Sequence, residues 1–166
     1  MFVVDTNVLV RAADQDSPYH EPCRALVEQW RQQTTSWYLT WGILYEFIRV
    51  VTHPRVLESP WDPESAIGFV TALLEAPGTR VLQESDRHVE VARDVFHEIA
   101  GIGGNLVFDV HTAILMREHG LRTIYTSDAD FNRFPFLDVV DPLTGRGRTA
   151  IRERRQGWSS GARRRS

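Results

Sequence analysis

Residues 105–131, NLVFDVHTAILMREHGLRTIYTSDADF, read as a helix, a glycine stop, a short apolar strand and a cluster of carboxylates at that strand's end. Asp109 falls near the start of the helix, and Asp128 and Asp130 follow directly on Ile124-Tyr125-Thr126. Carboxylates at both ends of a helix–strand unit are ordinary surface residues unless other segments send more of them to the same place. The flanking sequence decides which it is.

Upstream, Phe2-Val3-Val4 is apolar and partly β-branched, the composition of a buried strand, and it ends on Asp5. Asp5-Thr6-Asn7 turns the chain and Val8-Leu9-Val10 opens a short helix. Asp14 to Ser17 is a polar loop, followed by a helix that starts around Ser17-Pro18 and turns Leu26, Val27 and Trp30 inward. Tyr38-Leu39-Thr40 is a second strand. Gly42 to Thr52 is a helix ended by His53-Pro54, because the residue before a proline disfavours the helical conformation. Asp62-Pro63 supplies a cap and a first-turn proline to the next helix, with Ala66, Ile67, Val70, Leu73 and Leu74 as its inward face. Thr79 to Leu82 is a third strand. Ser85-Asp86 then starts a helix carrying Val89, Ala92, Val95, Phe96 and Ile99 at helical spacing. His88 and His97 on that helix have no second type of ligand beside them and are assigned to its surface or rim. Phe134-Pro135 breaks the chain, and Val139-Val140 is the last strand. Strands alternating with helices, through connections too long for hairpins, predict an α/β fold. The expected form is a three-layer α/β/α arrangement with a central, mainly parallel sheet flanked by helices.

Composition narrows the class. The 166 residues suffice for one domain with its own core, and 42% hydrophobic with 25% charged residues is an ordinary globular balance. The single Cys23 excludes an intrachain disulfide and a cysteine-held zinc site. No run of 18 apolar residues exists, and the longest candidate, Trp37 to Val51, carries Glu46 and Arg49. With no basic leader ahead of the first apolar residues, the expectation is a cytoplasmic protein that does not engage a membrane. All 19 basic residues are Arg. Met1 to Thr144 holds 11 of them against 21 Asp and Glu, whereas Gly145 to Ser166 holds eight against Glu153 alone. An acidic body followed by a basic, mobile tail over residues 144–166 is therefore expected, with the domain proper in residues 1–143. An acidic body argues against a simple nucleic-acid-binding module, which carries a basic footprint. Gly101-Ile102-Gly103-Gly104 follows a helix and lacks a Gly-Lys-Ser/Thr ending, so it is no phosphate-cradling loop.

Ligand sites in open parallel sheets form outside the carboxyl ends of the strands. Asp5 and Asp128 each follow a strand directly, and Asp109 starts the helix of a crossover that begins at the same edge. Glu46 lies one turn into a helix that follows a strand. Taken singly, Asp5 also reads as a helix N-cap and Glu46 as a helix-face partner of Arg49. Taken together, four carboxylates from four separated segments converge. They cannot all stay ionised uncompensated, so they share protons or bind a divalent cation. An all-oxygen set without Cys or His selects a hard ion, Mg2+ or Mn2+, which commonly bridges protein carboxylates to phosphate oxygens. Such an ion activates water and inverts the local sign of charge, so an acidic body can handle a polyanion. The residues point to a metal-dependent nuclease or phosphatase.

VVDTNVLV at 3–10, YEFIRV at 45–50, NLVFDVHTAILMREHG at 105–120, TIYTSDADF at 123–131 and FPFLDVVDP at 134–142 resemble, in order, the acidic motifs of PIN-domain ribonucleases. Over roughly residues 1–143 the size and spacing look most like the VapC toxins of toxin–antitoxin pairs. The resemblance implies a metal-binding catalytic set of Asp5, Glu46, Asp109 and Asp128, with Asp130 an accessory ligand in some members. Thr6, Asn7 and Thr126 or Ser127 match supporting polar positions. It implies Mg2+-dependent cleavage of RNA to 5′-phosphate and 3′-hydroxyl ends, with Mn2+ as a substitute, restraint by a cognate antitoxin, and a homodimer. Two features depart from the pattern: the basic tail, and Phe108, where the family often has a polar residue, which bears on substrate access. The alternative from another class is a catalytically silent PIN domain that binds RNA or a partner. A phosphatase of haloacid-dehalogenase type needs an acid two residues after its nucleophilic aspartate, and that position here is Asn7.

Overall fold

The computed structural model describes residues 1–145 and Gly147. Five strands form one parallel sheet: β1 (Val3–Val4), β2 (Trp37–Thr40), β3 (Thr79–Leu82), β4 (Thr123–Tyr125) and β5 (Asp138–Val140), in the spatial order β3-β2-β1-β4-β5. The six α-helices are α1 (Thr6–Ala13), α2 (His20–Gln32), α3 (Trp41–Val51), α4 (Pro63–Leu74), α5 (His88–Glu98) and α6 (Leu106–Glu118), and a 3-10 turn covers Ala129–Arg133. The sequence order steps outward from β1 to β3 on one side, then jumps across to β4. Right-handed crossovers therefore set α1–α4 on one face and α5–α6 on the other, giving the three layers expected. The basic tail lies outside the described residues except for Thr144, Gly145 and Gly147, the last bridged to Val140.

The two-residue β1 is the axis of the sheet. Val3 and Val4 are fully buried, as a central parallel strand covered on both faces requires. Val3 aligns with Tyr38 on one side and Ile124 on the other, and Val4 with Tyr125. The core continues through Leu9, Trp37, Leu39, Leu44, Phe47, Val110 and Met116, each with no exposed surface. Fully burying a side chain of this size contributes about 1.5–3 kcal/mol. Helix periodicity misassigned some faces. Ile67, Val89 and Phe96 are exposed, and Cys23 and Val91 take inward positions, because a run of adjacent apolar residues covers more of the helix than the core can accept.

What the fold does for the site is a matter of register. Since Val4 is opposite Tyr125, the next residues, Asp5 and Thr126, emerge side by side at the carboxyl edge. The Asp5 amide still donates to the Tyr125 carbonyl at 3.1 Å, and the Thr126 amide to the Val140 carbonyl at 3.0 Å. Helix α6 ends at His119, where Gly120 (φ +67°) reverses the chain into β4, so the opposite end of α6 stands at the same edge.

Candidate metal centre

Asp5 is both things its sequence allowed. It is the N-cap of α1, its Oδ1 accepting from the Thr6 amide at 2.7 Å, and it is buried at the sheet edge with 7% exposure. Its Oδ2 accepts from the Asn7 side-chain amide and from the Thr126 hydroxyl. The Thr126 hydroxyl, 1% exposed, in turn accepts from Asn7 Nδ2 at 2.8 Å and from the Asp128 amide at 2.9 Å. Asn7 Oδ1 accepts from the Ser127 amide and hydroxyl, each at 3.2 Å. One threonine hydroxyl thus ties the turn after β1 to the turn after β4. Burial nevertheless pushes the Asp5 carboxyl up to about 6, with Glu46 and Asp128 adding repulsion against the pull of the Thr126 and Thr6 hydrogen bonds.

Glu46 faces solvent, as a helix-face partner of Arg49 does. Its side chain is 43% exposed, because the apolar face of α3 is Ile43, Leu44, Phe47 and Val51. Its Oε1 accepts from Arg49 at 3.1 Å, the helix-face pair, while its Oε2 accepts from the Thr6 hydroxyl at 3.0 Å. Thr6 thereby connects Asp5, through its amide, to Glu46, through its hydroxyl.

Asp109 occupies the first turn of α6 and is half-buried. Its carboxyl is raised to about 7, first by burial and then by Asp5, Asp128, Glu46 and Asp130, a list that names every other acid of the cluster. Asp128 caps the 3-10 turn, its Oδ1 accepting from the Asp130 amide at 2.8 Å. Asp130 also sits 3.8 Å from Arg133. Carboxylate oxygens of Asp109, Asp128 and Asp130 lie within 4.8 Å of one another, and among the described residues this is the group spaced to share an ion. Asp5 and Glu46 border it from α1 and α3 and act on it through charge.

The donor set fits a hard divalent cation. It is all oxygen, it comes from separate segments, and burial followed by like charge raises its half-buried member toward neutrality. Among the described residues Arg49 meets Glu46 and Arg133 meets Asp130, both at the rim of the cluster. A second cluster lies on α5 and α6. Glu118, whose side chain is 1% exposed, accepts from Ser85 and lies 2.7 Å from His88, whose ring packs against that of His111. Burial would raise the Glu118 carboxyl, but the Ser85 and His88 hydrogen bonds outweigh it and hold it below its ordinary value. His88 therefore has an acid and a second imidazole beside it, neighbours 30 and 23 residues away that no local reading could supply.

Comparison with known proteins places this geometry. A family model described as "PIN domain" matches residues 2–137. Ribonuclease VapC48 of Mycobacterium tuberculosis is 36% identical over 141 residues, covering 85% of this chain and 97% of that protein. Ribonuclease VapC43 of the same organism is 35% identical over 145 residues, covering 87% and 97%. Among solved structures, VapBC2 from Rickettsia felis bound to a promoter DNA fragment superposes with a TM-score of 0.60 at 17% identity, covering 83% of this chain and 96% of the other, a likeness of fold.

Proposed function

The chain belongs to the PIN-domain family, and on that premise we propose that it is a metal-dependent endoribonuclease acting as the toxin of a toxin–antitoxin pair. The observation that carries the reading is the convergence of five carboxylates, Asp5, Glu46, Asp109, Asp128 and Asp130, from four segments onto one edge of the sheet, with Asp109 raised first by burial and then by the charge of all the others. A structural role gives nothing in return for that repulsion. A site that binds a divalent cation does.

Asp109, Asp128 and Asp130 would hold the ion, Mg2+ with Mn2+ as a substitute, and Asp5 would complete its surroundings from the buried side. Bound there, the cation supplies charge neutralisation at a phosphate oxygen and a lowered pKa for water. The chain's own residues do the rest. Thr6, Asn7 and Thr126 fix the Asp5 carboxylate by three hydrogen bonds, so it meets the substrate without reorganising. Glu46, held by Thr6 on one oxygen, orients the water that attacks phosphorus and takes its proton. The bond to the 3′ oxygen breaks and that oxygen takes a proton from solvent, leaving 3′-hydroxyl and 5′-phosphate ends. Partners follow from the same reading: an RNA substrate, an antitoxin that occludes the cleft, and a second copy of the chain. The nuclease resides in residues 1–143, so a chain cut after Gly147 keeps its cleavage rate.

RNA cleavage by the purified protein with Mg2+, Mn2+ or EDTA tests the proposal, alongside Asp5→Asn with its folding checked by circular dichroism. Cleavage should require the ion and vanish in a folded Asp5→Asn. A folded Asp5→Asn that still cuts RNA defeats the assignment. A wild-type protein that binds RNA and neither binds Mn2+ nor cuts would be the silent binding domain instead.

A further inference from the structure

We infer that Trp41 and Tyr45, on the lip of the acidic cleft, form a stacking platform that seats an unpaired RNA base next to the phosphate being cut; the inference rests on the ribonuclease reading above. Trp41 is the first residue of α3 and Tyr45 lies one turn on, so both project from the same side of the helix. They are 44% and 66% exposed, their ring centroids 5.8 Å apart with planes at 33°. Neither is among the buried residues of the core. Folding gains nothing from leaving two large rings in water at the start of a helix whose other aromatic, Phe47, is fully buried.

Their position ties them to the site. Tyr45 immediately precedes Glu46, which is bonded through Thr6 to the Asp5 turn. Gly42, between the two rings in sequence, lies beside α6: a Cβ there would come within ordinary contact, 4.0 Å, of His111 Nδ1, two residues beyond Asp109. Helix α3 is thus one wall of the cleft and the first turn of α6 the other. That second wall carries Val107 and Phe108, 41% and 68% exposed, directly before Asp109. These two apolar lips flank Glu46 and Asp109 in sequence.

Charge decides what lies across those lips. The body through Thr144 carries 11 Arg against 21 acids, and the Arg of this face, Arg49, is engaged by Glu46. Away from the ion an acidic surface repels phosphates, so a contact there is best made to the uncharged part of a nucleotide, its base. Base–aromatic stacking supplies this for any base whose face is free, and a duplex offers none. Trp41 and Tyr45 therefore select unpaired RNA and fix its register, and Phe108 closes over the opposite side.

The test compares wild type, Trp41→Ala/Tyr45→Ala and Trp41→Phe/Tyr45→Phe, all surface changes, on a fluorescein-labelled single-stranded 12-mer RNA and its duplex. Binding is read by anisotropy in EDTA and cleavage by kcat and KM in Mg2+. The alanine pair should weaken single-strand binding and raise KM by roughly 10- to 100-fold, with kcat and Mn2+ affinity unchanged. The phenylalanine pair should stay within about threefold of wild type. Unchanged binding and KM in the alanine pair overturn the inference. So does a change confined to the sedimentation state, which would make the lip a protein contact. If wild-type protein fails to cut any RNA with either ion, the ribonuclease reading itself fails, and that result is separate from the anisotropy arm.

Discussion

The two halves of the acidic cleft are built on opposite principles. On the β1 side, Asp5 is buried and both its oxygens are occupied, by the Thr6 amide on one and by Asn7 and Thr126 on the other. On the α6 side, Asp109, Asp128 and Asp130 crowd their oxygens within 4.8 Å, with Arg133 3.8 Å from Asp130 at the rim of the group. One half spends its hydrogen bonds on holding a carboxylate still; the other leaves carboxylates short of partners. A rigid wall facing an electrostatically frustrated one suits a site completed by a cation, since the ion relieves the second without disturbing the first.

After Asp5→Asn itself, breaking the frustrated half should have the largest effect. Asp109→Asn should lower the cleavage rate roughly 10^3-fold, as expected for removing a principal electrostatic group, with Mn2+ binding by calorimetry lost in parallel. The same variant should stabilise the protein in EDTA. Asp109 has a folded pKa of about 7 against 3.8 unfolded, so between those values the folded state binds more protons and stability falls as pH rises. The penalty is absent below pH 3.8 and complete above about 7. Partial exposure discounts it to about 1–2 kcal/mol, or roughly 3–6 °C in Tm, near pH 7.5. Wild type and Asp109→Asn should melt together at pH 4 and diverge toward pH 7.5. The ion must displace protons from Asp5 and Asp109, so Mn2+ affinity should also weaken as pH falls through 7 to 6. A pH-independent affinity would remove the contrast between the halves.

Breaking the rigid half should give a different signature. Thr126→Val keeps the shape and removes the hydroxyl that donates to Asp5 and accepts from Asn7 and the Asp128 amide. Leaving those buried groups unpaired should cost about 1–3 kcal/mol, seen as a Tm lower by roughly 3–8 °C, with the rate down about 10- to 100-fold. Thr126→Ser should recover most of both. Loss of rate with no loss of stability would mean that Thr126 acts on the substrate and not through Asp5.

The sequence made one of these halves far more legible than the other. Asp5, Asp109 and Asp128 could be placed because each follows a strand or lies in the first turn of a helix, and Glu46 because it lies just past the first turn of a helix that follows a strand; strand ends map onto one edge of a parallel sheet whatever the strand order. The order β3-β2-β1-β4-β5 was not recoverable, and neither was the register that sets Asp5 beside Thr126. Thr126 and Ser127 were interchangeable in sequence. The fold separates them, burying the Thr126 hydroxyl against Asp5 and turning Ser127 outward onto Asn7. The pair formed by His88 and Glu118 depends on how α5 crosses α6, which no periodicity encodes. Tyr45 was visible only as an apolar neighbour of Glu46. Its exposure follows from which side of α3 meets the core.

Asp130 measures where the frustrated half ends. Its side chain is 54% exposed, and Arg133 stands 3.8 Å away, so more of its charge is already met by solvent and by that guanidinium than is true of Asp109. A ligand of this kind contributes charge at the edge of the site and little geometry. Asp130→Asn should therefore weaken Mn2+ binding only a few-fold and leave the rate within about tenfold of wild type, the size of effect that an exposed, screened charge exerts. Raising ionic strength from 50 to 300 mM should shrink even that difference, while the Asp109→Asn deficit persists. If Asp130→Asn proves as damaging as Asp109→Asn at both salt concentrations, the boundary is misplaced and the 3-10 turn belongs to the ion's inner shell, with Arg133 then positioned to compete with the cation rather than to screen its ligand.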